Sequence, residues 1–532
     1  MSSSLANRCS RPFVFTAASF VLSGLLSAQL TDQTQTPNAA GAGILKSFAE
    51  QIGAGRGDLM TPGSSIFIIN RDPFRAIRRG RQIFQRKFTV AQGFGPRTND
   101  GVGDIEADAS HGAGLADSCA ACHARPFGSA GFGGNVITRP KSRDAPHLFG
   151  LGLQEMLADE ITADLRAIEA QAIADAMSSG SAVFAKLNSK GLNYGNITAM
   201  PDGSVDKSNV SGVNDDLRVR PFFAQGDTIS IREFLVGAFN AEMGLEAFDP
   251  DMDDAANSML DVTTPSGMVL SGSTDTIEAP VVTSTSDDSD GDGVTDEIPV
   301  SIVDFMEFYL LNYFKPGLGP QDSATMAGRD LMRQIGCTRC HVPDLTIDVD
   351  RRVADVETNF DAVQGSIFNR MFATATAFTV ETDDGSGFPT LKQPAGGSFV
   401  VQNIFTDFRR HDLGPAFHEL NYDGTLQTEF ITEPLWGAGS TPPYGHDGRS
   451  ATLVDVILRH GGDAQVPRDK FVALSTLEQR QMIAFLRSLV LFSPEDTPSN
   501  LNPADPMDPM FPIEGQGSIS LAPLFNDPSE GE

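Results

Sequence analysis

The pentapeptides CAACH (119–123) and CTRCH (337–341) each place two thiols three residues apart, with an imidazole directly after the second. C-x-x-C-H is the attachment pattern of c-type haem: the thiols form thioether bonds to the vinyl groups and the histidine becomes the proximal iron ligand. Cys119, Cys122 and His123 would hold one haem, and Cys337, Cys340 and His341 a second. A four-cysteine zinc site competes, but it leaves both histidines without a task and joins pairs far apart in the chain. Two disulfides also compete, although a C-x-x-C bridge closes a short, reactive ring and staples little. The fifth cysteine, Cys9, lies near the N-terminus, ahead of an apolar run, so the two motifs use every other cysteine.

Helices are expected on either side of each motif. FRAIRRGRQIFQRKF (74–88) predicts an amphipathic helix ahead of a Gly-rich loop and the first motif, and AGRDLMRQIG (327–336) predicts its counterpart immediately before the second. TLVDVILRH predicts a helix stopped by Gly461 and Gly462, with His460 in its last turn. Ser475 and Glu478 form a capping box ahead of Leu477, Met482, Ile483, Leu486 and Leu489, a closing helix in which Met482 reads as core. Between the motifs, DSDGDGVTDE sets Asp288, Asp290, Asp292 and Asp296 at alternating positions around Gly293, a calcium-loop pattern without its usual final Glu, because Pro299 stands there. A plain acidic surface loop is the other reading.

Sixty-nine acidic against 39 basic residues give a net charge of -30, which excludes nucleic acid and anionic membrane as partners and suits a basic or small neutral one. Arg8 and Arg11 precede the apolar run FVFTAASFVLSGLL and the small residues SAQ, the form of a secretory signal peptide ending near Ala28. The run is shorter than the roughly 20 residues that span a bilayer. Export to the periplasm, with no membrane span in the mature chain, is the expectation. The domain plan is a signal at 1–28, a linker at 29–70, an N-terminal haem domain at 71–300 with the acidic loop at 287–297, a C-terminal haem domain at 301–493, and a Pro/Asp-rich tail at 494–532.

The succession CAACH, RDAPHLFGLGLQEM, GDTISIREFLVGAFNAEMG, the DGDG loop, CTRCH, FTDFRRHDLGP and PLWGAGSTPPYGHDGRSATL resembles the di-haem oxidoreductase family of peroxidase-like enzymes. More distantly it is similar to bacterial di-haem cytochrome c peroxidase and to the di-haem enzyme that matures methylamine dehydrogenase. The resemblance spans roughly residues 70 to 492. It implies a mainly α fold of two cytochrome c-like helical haem domains, with long loops and little β.

In those relatives the C-terminal haem takes its second axial ligand fourteen residues past the H-D-G histidine, which here is His460. Met or Tyr stands there in the relatives, so His460 implies a bis-histidine haem of lowered potential. A cation at a helix C-terminus is the alternative role for His460. His446 would fix the turn or bond a haem propionate, and His411 and His418 are the next candidates for the ligand. The N-terminal haem has no histidine in ARPFGSAGFGGNVITRPKSRDAP, so an open sixth position is expected, with His147 the one group placed to close it. Gln154 and Glu155 fall where relatives carry a distal Gln and a catalytic Glu; a solvated helix face is the other reading of Glu155. Relatives also place a Trp between the haems. The single Trp436 lies in the second domain, so the electron path is expected to use another residue or direct haem contact.

The functional expectation is an exported di-haem oxidoreductase. A small redox protein feeds the C-terminal haem, and hydrogen peroxide or another small oxidant is reduced at the N-terminal one, with calcium at the acidic loop. The rivals are a di-haem oxidase of an organic or protein substrate and a pure electron-transfer cytochrome.

Overall fold

The computed structural model describes residues 47–86, Phe88, Cys119, His123 and 145–490, apart from 149, 289–290, 292, 313–316, 361–370, 378–379, 383–390, 394–395, 422–423 and 440. The expected signal peptide, the first part of the linker, Cys122, Asp290, Asp292 and the Pro/Asp-rich tail lie outside the described residues. No helix among the described residues is long and apolar enough to cross a membrane.

The first half is built from α1 (Phe48–Ile52), α2 (Ser65–Arg71), α3 (Pro73–Gln85), α4 (Leu151–Ser179), α5 (Ile231–Ala241), α6 (Pro250–Asn257) and α7 (Val300–Leu311). Asp72 caps α3 by accepting from Arg75 N, and Pro73 sits in the first turn, where a helical N–H has no partner to lose. Gly80 lets α3 cross α7 at close range: a Cβ there would stand 2.1 Å from the Phe305 carbonyl oxygen. α4 starts after Gly150 in the left-handed region, and all of its residues 151–158 are buried. Phe48, Ile68 and Ile69 are buried in the same core.

The second half contributes α8 (Ser323–Ile335), α9 (Leu453–Arg459), α10 (Gln465–Ala473) and α11 (Thr476–Ser488). Asp322 and Thr325 cap α8 reciprocally, and Ser475 and Glu478 do the same for α11. Gly328 of α8 faces α11, where a Cβ would meet the Gln481 carbonyl at 2.1 Å. Met332, Ile335, Phe405, Met482, Phe485 and Leu486 form a smaller core between these helices. The segment after the second motif does not stay with it: Leu345, Ile347, Ile404, Ile431 and Trp436 belong to the larger core.

A mainly α chain with little β is not what forms. Among the described residues, strands make one three-stranded sheet and seven two-stranded ladders. The sheet joins β1 (Val183–Ser189), β2 (Leu192–Ala199) and β3 (Val205–Val210), antiparallel throughout. Lys190 and Gly191 both have positive φ, the requirement of a tight primed turn between twisted strands. Leu187, Leu192, Tyr194, Ile197 and Ala199 turn inward while alternate residues face out. The expectation of a mainly α chain with little β failed because most ladders are two or three residues per strand, too short to print a period of two on the sequence.

Candidate haem centres

The second motif sits where α8 ends. Gly336, at φ +98, stops the helix, and Cys337–Arg339 continue as a single 3-10 turn. Cys340 N and His341 N both donate to the Cys337 carbonyl, at 3.3 and 3.0 Å, drawing both cysteines and the histidine into one turn. Cys337 and Cys340 are not joined in a disulfide. His341 Nδ1 lies 3.1 Å from the Phe405 carbonyl oxygen. A carbonyl only accepts, so Nδ1 carries the ring proton and Nε2 keeps the lone pair that a metal takes. Burial, with the neighbouring His460 as the next cause, holds the His341 pKa down to about 4, in the neutral form that ligates.

His460 repeats this arrangement. It is the C-cap of α9, and its Nδ1 stands 2.7 Å from the Val456 carbonyl. Burial depresses its pKa as well. The H-D-G turn reaches this ring through Asp447, whose carboxylate accepts from both terminal nitrogens of Arg459, at 3.0 and 2.7 Å. Arg459 also lies over the Phe417 ring at 4.2 Å, and Phe417 meets His460 edge to face at 5.4 Å. The turn thus braces the last residue of α9, and with it the imidazole that follows.

His446 stacks on Phe430 at 4.1 Å, with Nε2 3.3 Å from Glu419 Oε2. His411 donates to Asp407 at 2.9 Å and has its other nitrogen 3.5 Å from Asp463, so carboxylates engage both of its nitrogens. Cys340, Asp407 and His411 bring a sulfur, a carboxylate and an imidazole within 4.8 Å of one another. Cys340 of this grouping belongs to the C-x-x-C-H turn, so Asp407 and His411 stand beside that motif. His418 is bonded to Asp412 at 2.7 Å. Among the described residues, no group of three or more possible metal ligands joins Cys119 to Cys337 or Cys340.

At the first motif, Cys119 and His123 are helical and half-buried. His123 Nδ1 is 2.6 Å from the Pro146 carbonyl, the third histidine held in this way, and its ring meets Phe234 of α5 edge to face. Burial lowers its pKa. His147, the next residue, has Nε2 2.7 Å from the Trp436 carbonyl, and burial holds it down to about 4. Trp436, distant in sequence, is therefore at the first centre: its indole lies against Gly150, where an added Cβ would meet the ring at 2.4 Å. Nothing in the sequence announced that contact apart from the glycine itself.

Glu155 is no solvated face. It is 1% exposed, accepts from Ile231 N at the head of α5 at 2.7 Å, and pairs with Arg351 at 2.8 Å. Burial pushes its pKa up to about 7 against the pull of Arg351. Gln154 is buried beside it. Arg351 comes from the loop that follows the strand Leu345–Ile347, and the same loop places Asp348 N and Val349 N on the Glu160 carboxylate at 2.9 Å. α4 is thereby clamped to the second motif through residues that the sequence did not single out. In the acidic loop, Gly293 N donates to Asp288 Oδ2 at 3.2 Å, and burial raises the pKa of Asp296.

The residues present fit haem. The histidines of the two C-x-x-C-H motifs, His123 and His341, have their protons committed to backbone carbonyls, and a third such histidine, His460, neighbours His341. Residues 358–489 match the family described as "Di-haem oxidoreductase, putative peroxidase". No curated protein matches the chain. Among solved structures, it is similar to Kuenenia stuttgartiensis hydrazine synthase at 14% identity, covering 36% of this chain and 55% of that one, with a TM-score of 0.21. The chain thus spans about half the length of that relative. It is also similar to a MauG-like protein associated with microbial copper homeostasis at 12% identity, covering 54% of this chain and 77% of that one, with a TM-score of 0.24. The resemblance to the di-haem oxidoreductases drawn from the sequence is borne out by the family match over residues 358–489.

Proposed function

We propose, for a chain whose residues 358–489 match the di-haem oxidoreductase family, that it is an exported c-type di-haem enzyme of peroxidase type. The observation that supports this most is the shared posture of His123, His341 and His460: each has Nδ1 on a backbone carbonyl, leaving Nε2 for iron. Cys119 and Cys122 with His123, and Cys337 and Cys340 with His341, would attach the two groups, and His460 would complete the second. Bound haem supplies one-electron chemistry and, where a coordination position is open, a site for peroxide. At the first centre His147 Nε2 is spent on Trp436, which favours an open position there.

The protein's own part is to hold protons and exclude competing ligands. Glu155, buried and titrating near pH 7, is suited to pass a proton between the two oxygens of a bound peroxide, with Gln154 beside it as a hydrogen-bonding partner. Arg351 fixes the Glu155 carboxylate and opposes its protonation. His446, packed between Phe430 and Glu419, secures the turn that braces His460. The Gly293 to Asp288 bond is the internal contact expected of a calcium loop, and Asp288, Asp290, Asp292 and Asp296 would supply its oxygens. The electron donor is a small redox protein with a basic face, complementary to the charge of -30.

The test is steady-state oxidation of a reduced small cytochrome or copper protein by hydrogen peroxide, using holoprotein made in a host competent for cytochrome c maturation. Turnover dependent on both reagents supports the reading. Holoprotein with two haems that leaves peroxide untouched contradicts it and favours an electron carrier.

A further inference from the structure

The two motif histidines are connected to one another by a continuous run of bonds. His123 Nδ1 reaches the Pro146 carbonyl at 2.6 Å, and Pro146 is covalently joined to His147. His147 Nε2 reaches the Trp436 carbonyl at 2.7 Å, and Trp436 follows Leu435. Leu435 N donates to the Ile404 carbonyl at 3.1 Å, Ile404 precedes Phe405, and the Phe405 carbonyl receives Nδ1 of His341 at 3.1 Å. Three dipeptides linked by four hydrogen bonds thus span the distance between the two sites.

Two of these dipeptides cross from one core to the other. Ile404 is in the larger core and Phe405 in the smaller, while Trp436 is in the larger and Leu435 packs against the smaller. Phe405 is held at φ +57, a left-handed conformation that a residue with a Cβ rarely adopts. Strain of this kind persists where the surroundings over-determine it, and here it sets the peptide whose carbonyl meets His341. Trp436, Ile404 and Phe405 are buried and His147 is half-buried, while Pro146 is exposed, so water competes for the run only at its His123 end.

We propose that this run is the route by which electrons pass between the two centres, with His147 as its positioning residue. Electron tunnelling falls off more slowly through covalent and hydrogen bonds than through open gaps, and this run contains no gap. One electron leaves the centre at His341 and arrives at the centre at His123; no bond is made or broken. The indole of Trp436 is not a stop on the way, because the contact to His147 is made by its carbonyl. The proposal rests on the di-haem reading above and adds to it which atoms conduct.

Pulse radiolysis of the holoprotein, delivering a single electron and following its redistribution between the haems by absorbance, tests the route. His147→Leu removes the donor to Trp436 and is expected to slow redistribution at least about tenfold, with haem content and ferric spectra unchanged. His147→Gln restores an N–H and is expected to restore most of the rate. Trp436→Phe keeps the carbonyl and is expected to transfer at the wild-type rate. If His147→Leu fails to load both haems, His147→Asn, too short to reach the Trp436 carbonyl, serves in its place with the same expected slowing. Wild-type transfer in the Leu or Asn variant overturns the route, as does a Trp436→Phe variant slowed as much as His147→Leu. A wild-type protein without two haems would instead overturn the functional reading, so the two failures are distinguishable.

Discussion

Asp447→Asn should loosen the brace that presents His460. The carboxylate accepts two hydrogen bonds from Arg459 and one from Arg449 N at 3.1 Å, and the side chains of the pair are 7% and 17% exposed. Breaking a fully buried pair costs about 3–5 kcal/mol and an exposed one about 0–1. This pair lies between those limits, and asparagine retains one acceptor, so the expected loss is about 2 kcal/mol. Urea denaturation of the two holoproteins measures it. Burial alone would raise the Asp447 pKa, but the bonds from Arg459 and Arg449 outweigh it and the carboxyl is depressed below 3.8. A depressed acid contributes stability that is complete above its unfolded value and is lost as pH falls through the folded one. The gap between wild type and Asp447→Asn should therefore be full at pH 7 and close below pH 3.8. A gap under about 0.5 kcal/mol at pH 7, or one that persists unchanged in acid, would refute the brace.

Glu155→Gln should lower peroxide turnover by about 10²–10⁴-fold and abolish a limb near pH 7 in the pH–rate profile, with ferric spectra preserved; a variant of wild-type activity ends the proton-shuttle role. Because burial raises Glu155 to about 7 from an ordinary 4.5, the folded state holds its proton more tightly than the unfolded chain, and wild type loses stability as pH rises through that window. Glutamine does not titrate, so the variant should gain on wild type between pH 4.5 and 7 in the same denaturation assay. For the acidic loop, calcium at about a hundred times its dissociation constant should add about 2.7 kcal/mol of stability, and calorimetry with and without a chelator should show that gain in wild type but not in Asp288→Ala.

The two C-x-x-C-H motifs stand out in the sequence because covalent haem attachment would demand three residue types at fixed spacing, a pattern that needs no tertiary context. The cap of α11 was equally plain, since Ser475 and Glu478 act within one turn, whereas α8 was expected only from residue 327 and its cap at Asp322 went unread. His460 became visible through its offset from the H-D-G turn, and the structure supplies the reason for that turn: Asp447 and Arg459, twelve residues apart, form an ion pair that local pattern cannot report. Arg351 on Glu155 and Trp436 on Gly150 join residues 196 and 286 positions apart, beyond any periodicity. The strands were hidden for another reason. The NSKG turn and the alternation of NYGNITA did carry a hairpin signal in β1 and β2, but most other ladders are too short to carry one.

Electron paramagnetic resonance of the oxidised holoprotein counts the iron environments directly. The account predicts one low-spin signal from an iron held by His341 and His460 and one high-spin signal from an iron at His123, the latter altered by cyanide. Two low-spin signals indifferent to cyanide and peroxide, or a protein that binds no haem at all, would contradict it.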